Sequence, residues 1–148
     1  MNELNVQDLT QFGEMLGASL QSPVVIELIG DVGAGKTTLT KSIAKGMGIT
    51  QTVQSPSFTI YNYYRAPNEM ELHHYDFYRI SDPGLMSFEL HESIHNSQAV
   101  TIIEWGKSVN ALLPDNRLRI HIKASQEVSK RNIEIIGPLP AGLRQWVE

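Results

Sequence analysis

VVIELIGDVGAGKTT, residues 24–38, decides the fold. Val24 to Ile29 is a short apolar run, rich in β-branched residues and interrupted only by Glu27. That is how a strand buried on both faces of a parallel sheet reads. Gly30 stops it. From Gly30 to Thr37 the residues fit G-x-x-x-x-G-K-[ST], the phosphate loop or Walker A pattern, in which each fixed position has a physical job. Glycines let the backbone curl so that its N–H groups face phosphate oxygens. Lys36 supplies a point charge, the Thr37 hydroxyl can ligate Mg²⁺, and the helix that follows directs its positive end at the anion. Leu39, Ile43, Ala44 and Met47 mark that helix, with Gly46 and Gly48 as stop signals. Strand, glycine loop and helix in this order predict an α/β protein: a single-domain P-loop NTPase fold with a mixed, mostly parallel sheet flanked by helices. The loop from Gly30 to Thr37 is then expected to hold the phosphates of a nucleoside triphosphate.

The chain on either side supports this. Val6, Leu9, Phe12, Met15, Leu16 and Leu20 recur at helical spacing and predict an amphipathic N-terminal helix. Thr59 to Arg65 and Met70 to Tyr78, around the turn-like Ala66-Pro67-Asn68, predict a hairpin at one edge of the sheet. Ser81-Asp82-Pro83 opens a helical stretch reaching about His95. Ala99 to Glu104 is a second apolar strand, ending in an acid. Leu118 to Lys123 and Asn132 to Ile136 alternate as two later strands before a short C-terminal helix. At 148 residues, one domain spanning 1–148 is expected.

Composition narrows the function. The net charge of -4 argues against a broad electrostatic grip on nucleic acid, so any RNA contact is expected to need a partner's help. With no cysteine, thiolate metal sites and thiol nucleophiles are excluded. No apolar stretch is long enough to span a bilayer and no signal-like start is visible, which predicts a cytoplasmic protein without membrane contact.

A phosphate loop needs a carboxylate near its metal, at the C-terminal end of a neighbouring parallel strand. Glu104 ends Val100-Thr101-Ile102-Ile103 and is the first choice of metal ligand with Thr37; a solvated strand-end acid is the competing reading. Asp76, in His74-Tyr75-Asp76-Phe77-Tyr78-Arg79, could also face the site, against a surface ion pair with Arg79. Lys36, Asp76 and Glu104 are the candidate catalytic residues. His91-Glu92-Ser93-Ile94-His95 spells the H-E-x-x-H of zinc proteases, but Asn96, Ser97 and Gln98 leave no long helix, and two surface histidines one turn apart are expected instead. The chain holds no Asn-Lys-x-Asp guanine element and no Ser-Gly-Gly signature, which leaves ATP. Asp82 to His95 lacks the arginine that a kinase lid would carry, so hydrolysis is favoured over transfer to a small molecule.

Four stretches in order, GDVGAGKTT at the loop, SPSFTI from Ser55, HYDFYRI from His74 and IIEW from Ile102, resemble those of the TsaE (YjeE) family of bacterial ATPases, which take part in making the threonylcarbamoyladenosine of tRNA. The likeness extends over nearly the whole chain. It implies an Mg²⁺-dependent ATPase working with the TsaB and TsaD proteins, with Gly33, Ala34, Gly35, Lys36, Thr37 and Thr38 on the phosphates, Thr37 and Glu104 on Mg²⁺, Ser55 to Thr59 as a switch near the γ-phosphate, and functional roles for Asp76 and Trp105. Ser57 stands where the family usually has threonine, Leu90 where a glycine is common, and Gly106 where a proline often follows the tryptophan. A nucleotide-gated binding module, in which ATP orders Ser55 to Thr59 for docking, remains the rival from another class.

Overall fold

Glycine punctuation and alternating burial divide residues 2–146, those that the computed structural model describes, into seven strands and three α-helices. In chain order these are β1 (Asn2–Asn5), α1 (Val6–Ser19), β2 (Val24–Ile29), α2 (Lys36–Gly46), β3 (Tyr61–Arg65), β4 (Glu71–Asp76), α3 (Leu85–Ile94), β5 (Ala99–Glu104), β6 (Leu118–Ala124) and β7 (Lys130–Ile136). Two 3-10 helices, Gly106–Leu112 and Ala141–Trp146, complete them.

The strands form one sheet in the order β1-β7-β6-β2-β5-β4-β3. Its centre, β6-β2-β5-β4, is parallel throughout, as the unbroken apolar runs of β2 and β5 require. Antiparallel pairing is confined to the flanks, where β3 joins β4 and β7 joins both β6 and β1. The β3–β4 hairpin therefore supplies the edge strand, as its alternation predicted.

Alternation on each strand sends side chains to two layers. On one face, Ile26, Leu28, Leu72, Val100, Ile102, Leu118 and Ile120 pack with Leu9, Phe12, Leu16, Leu39 and Ile43 of α1 and α2. On the other, Val25, Tyr75, Phe77 and Ile103 pack with Leu90 of α3 and with Val109. The N-terminus of α1 is closed by a reciprocal pair, Asn5 accepting from the Asp8 amide and the Asp8 side chain accepting from the Asn5 amide. The two helices of the first layer approach too closely for side chains at their crossing. A Cβ on Gly17 would come within 2.0 Å of the Ile43 carbonyl oxygen, and one on Gly46 within 2.0 Å of that of Glu14. Gly46, read from the sequence as a stop signal, is thus also the contact that fixes α2 and the loop in front of it.

Three features were not legible in the sequence or differ from its reading. β1 is short and polar and exists through its pairing with β7. Residues 81–84 form bends rather than the first helical turn, Asp82 Oδ1 accepting from the Gly84 amide at 3.2 Å, so α3 starts at Leu85. The C-terminal helix is 3-10 in form, and residues 1, 147 and 148 of the expected 1–148 domain lie outside the described residues. No helix among the described residues is long and apolar enough to cross a membrane.

Candidate functional site

The loop leaves β2 at Gly30, where a Cβ would sit 2.6 Å from the Ile122 carbonyl oxygen, and turns tightly, the Ala34 amide donating to the Asp31 carbonyl at 3.0 Å. Gly33 and Gly35 adopt φ of 79° and 115°, the left-handed region that a side chain would strain. α2 then begins at Lys36, with Thr37 half-buried and Thr38 exposed in its first turn. Arg131 of β7 braces the loop from outside, its Nε donating to the Ala34 carbonyl at 3.0 Å. Nothing in the local sequence signalled that contact, because it joins residues 97 apart in the chain.

Lys36 is buried and folded over the loop. Its Nζ donates to the Gly30 carbonyl and, at 3.0 Å, to that of Asp31, and lies 4.4 Å from the centre of the Trp105 ring. Burial lowers its pKa from 10.5, while Glu104, Asp76 and Asp31 oppose that shift by favouring the charged form.

The two candidate acids come together. Asp76 and Glu104 are the last residues of the parallel strands β4 and β5 and are partners in register, with Leu28 of β2 opposite Glu104 on its other side. Both face the α2 layer, and both are buried, with 5% and 3% of their surface exposed. A solvated strand end for Glu104 and a surface ion pair for Asp76 are therefore both wrong; Arg79 instead lies over the Phe58 ring at 5.2 Å. Asp76 Oδ1 accepts from the Tyr78 amide at 2.9 Å and Oδ2 from the Ser57 hydroxyl at 3.2 Å. Ser57 in turn lies 2.7 Å from the Ser55 hydroxyl, so the serine-rich segment is tied to the acid. Glu104 Oε2 is 2.6 Å from His74 Nε2, a partner that sequence reasoning passed over.

Trp105 follows Glu104 in a left-handed conformation, φ 56°, unusual for a bulky residue. Behind it, Arg117 donates to Glu27 Oε1 at 2.8 Å, to the Asn110 side chain at 3.1 Å and to the Pro114 carbonyl at 3.0 Å, fixing the 3-10 turn after the tryptophan. A Cβ at Gly106 would press on Glu27 Oε2 at 2.9 Å, the local setting of the glycine found where proline is common. A groove of about 1160 Å³ runs beside the loop, walled by Gly30 to Ala34, Trp105 and the outward row Arg119, His121 and Lys123 of β6. Lys36, Asp76 and Glu104 are not among its walls; the groove adjoins the acidic site rather than containing it.

The H-E-x-x-H histidines lie elsewhere. His91 and His95 are exposed at the end of α3, their rings 4.2 Å apart, with His95 Nδ1 2.9 Å from the His91 carbonyl. Among the described residues, no group of three or more His, Cys, Asp or Glu is arranged to hold a metal.

Comparison with known proteins gives a consistent result. The family model described as Threonylcarbamoyl adenosine biosynthesis protein TsaE matches residues 4–133. The tRNA threonylcarbamoyladenosine biosynthesis protein TsaE of Haemophilus influenzae is 31% identical over 128 residues, 86% of this chain and 79% of that one. The protein of the same name from Bacillus subtilis is 38% identical over 120 residues, 81% of this chain and 74% of that one. Among solved structures, Bacillus subtilis YdiB superposes with a TM-score of 0.75 at 32% identity, covering 98% of this chain and 93% of that one.

Proposed function

This chain belongs to the TsaE family, and we propose that it serves tRNA threonylcarbamoyladenosine biosynthesis in the cytoplasm as a slow ATPase that turns over a complex of TsaB and TsaD. The observation that carries this reading is the burial of Asp76 and Glu104 side by side at the ends of adjacent parallel strands, next to Lys36 of the loop. Two buried carboxylates beside a lysine held by backbone carbonyls fit a divalent cation and a polyphosphate together, since each charge is otherwise costly to bury.

Thr37 and Glu104 would hold Mg²⁺, which when bound neutralises charge on the phosphates. The curled backbone of Gly33 to Gly35 and the first turn of α2, with Thr38, bind and orient the phosphates. Lys36, anchored by Gly30, Asp31 and Trp105, donates to the γ-phosphate oxygens as charge develops on them. Asp76 links the reacting end to the Ser55–Ser57 pair. The groove along β6 gives the nucleoside end room beside the loop. Among the described residues no arginine hydrogen-bonds Asp76 or Glu104, in keeping with a weak basal rate that partners raise.

A second reading rests on the Ser57–Asp76 hydrogen bond. If ATP occupancy alone orders that segment for docking, hydrolysis is incidental. Reconstituted tRNA modification with TsaB and TsaD, run with wild type, Lys36→Ala and Glu104→Ala alongside ATP hydrolysis, separates them. The ATPase reading expects Glu104→Ala to bind ATP and partners but stop after the first round. Repeated rounds without hydrolysis would leave the docking reading in its place.

A further inference from the structure

We infer that His74 is a positioning residue for Glu104: its Nε2–H holds carboxylate oxygen Oε2 so that the other oxygen is presented to the metal beside the phosphate loop. The inference rests on the reading of Glu104 as a metal ligand given above. His74 sits two residues before Asp76 on β4, opposite Ile102 of β5, and alternation places it on the same face as both acids. It is wholly buried, and its Nε2 is 2.6 Å from Glu104 Oε2. Nδ1 is buried too, with no hydrogen-bond partner among the described residues.

A carboxylate only accepts, so the nitrogen facing it donates. The ring thus aims one N–H at one oxygen. A glutamate at a strand end has three side-chain torsions that could turn its carboxylate away from the cation. A short hydrogen bond to one oxygen removes that freedom, and outer partners of metal ligands act in this way in general. Oε1 carries no hydrogen bond to the described residues and stays available.

The test reads metal linkage rather than turnover. The full chain is titrated with a fluorescent, non-hydrolysable ATP analogue, with Mg²⁺ and with chelator, and the ratio of the two affinities gives the magnesium enhancement. His74→Asn is too short to reach Oε2 and is expected to lose on the order of tenfold to a hundredfold of that enhancement. Its affinity in chelator stays that of wild type. His74→Gln can place its amide N–H near the position of Nε2 and retains most of the enhancement. Full enhancement in His74→Asn, or an equal loss in both variants, overturns the proposal. Glu104→Gln separates the two levels: if it keeps full enhancement, the metal-ligand reading itself fails, whereas if it loses enhancement and His74→Asn does not, only the role of His74 fails. Nitrogen-15 NMR of the wild-type chain needs no variant to fold. It should find a proton on His74 Nε2, and an Nε2 without a proton overturns the proposal.

Discussion

His73 and His74 are consecutive on β4, and each pairs with a glutamate, yet the two pairs are built on opposite plans. His73 points to the α3 layer, where Nε2 lies 3.2 Å from Glu71 Oε1 and Nδ1 lies 2.8 Å from the Tyr61 hydroxyl and 3.1 Å from the Ser93 hydroxyl. The Ser93 hydroxyl also lies 2.6 Å from that of Tyr75, whose pKa burial, helped by Glu89, pushes up to about 12 against the opposing effect of the Ser93 hydrogen bond. Every nitrogen of His73 is engaged, so this network stabilises α3 against the sheet and has nothing left to offer a ligand. His74, on the α2 layer, holds one carboxylate oxygen and leaves the other free. A closed polar network supports structure; an open one, next to a phosphate loop, supports chemistry.

The largest test of that contrast exchanges the two glutamates in turn. Glu104→Gln should lower ATP turnover by about a hundredfold or more while the chain stays folded, the scale seen when one preorganised charge contact is removed from a reacting site. Glu71→Gln, equivalent in chemistry but on the closed side, should leave turnover unchanged and lower only the melting temperature. Equal effects on phosphate release would dissolve the distinction. Next in size, Ser93→Ala strips both Tyr75 and His73 of a partner and should cost about 1–3 kcal/mol in denaturant unfolding, with nucleotide affinity unaltered. Tyr61→Phe removes one of the two hydroxyls on His73 Nδ1 and should cost about 1 kcal/mol or less, because Ser93 still satisfies that nitrogen.

The open side was the more legible in sequence, and the reason is physical. Phosphate binding demands glycines at Gly33 and Gly35, a lysine at Lys36 and a hydroxyl at Thr37 within one turn of chain, so the requirement is written locally. Glu104 could be named as a candidate because it ends an apolar run that pairs in parallel with the strand before the loop. Asp76 was readable only as a candidate, since the register that sets it against Glu104 depends on β4 pairing with β5, a contact 28 residues apart in number. His74 was quoted for the family stretch it opens, but its role could not be read, because a histidine on an apolar strand face looks the same whether it meets a carboxylate or a hydroxyl. Arg131 on the Ala34 carbonyl, Arg117 on Glu27 and the strand β1 are all products of tertiary pairing between distant segments, and no local propensity announces them. The closed network likewise reads as ordinary aromatic and polar alternation in Tyr61, His73 and Tyr75.

The smallest expected effect concerns pH, and it belongs to the closed side. Burial lowers the pKa of His73 below its ordinary 6.5, against Glu71 and Glu89, which favour the charged ring. The native chain therefore resists protonation, while the unfolded chain takes up a proton as pH falls through 6.5. Below that value the unfolded state binds more protons than the folded one, so stability is complete above it and is lost as the pH drops toward the folded pKa. Melting curves between about pH 7.5 and about pH 5.5 should fall steadily on the acid side in wild type. In His73→Gln, which keeps an amide near Glu71 but cannot titrate, that acid slope should flatten. A slope unchanged in His73→Gln would mean that the acid sensitivity arises elsewhere and that the network around Ser93 is not held together by a neutral ring.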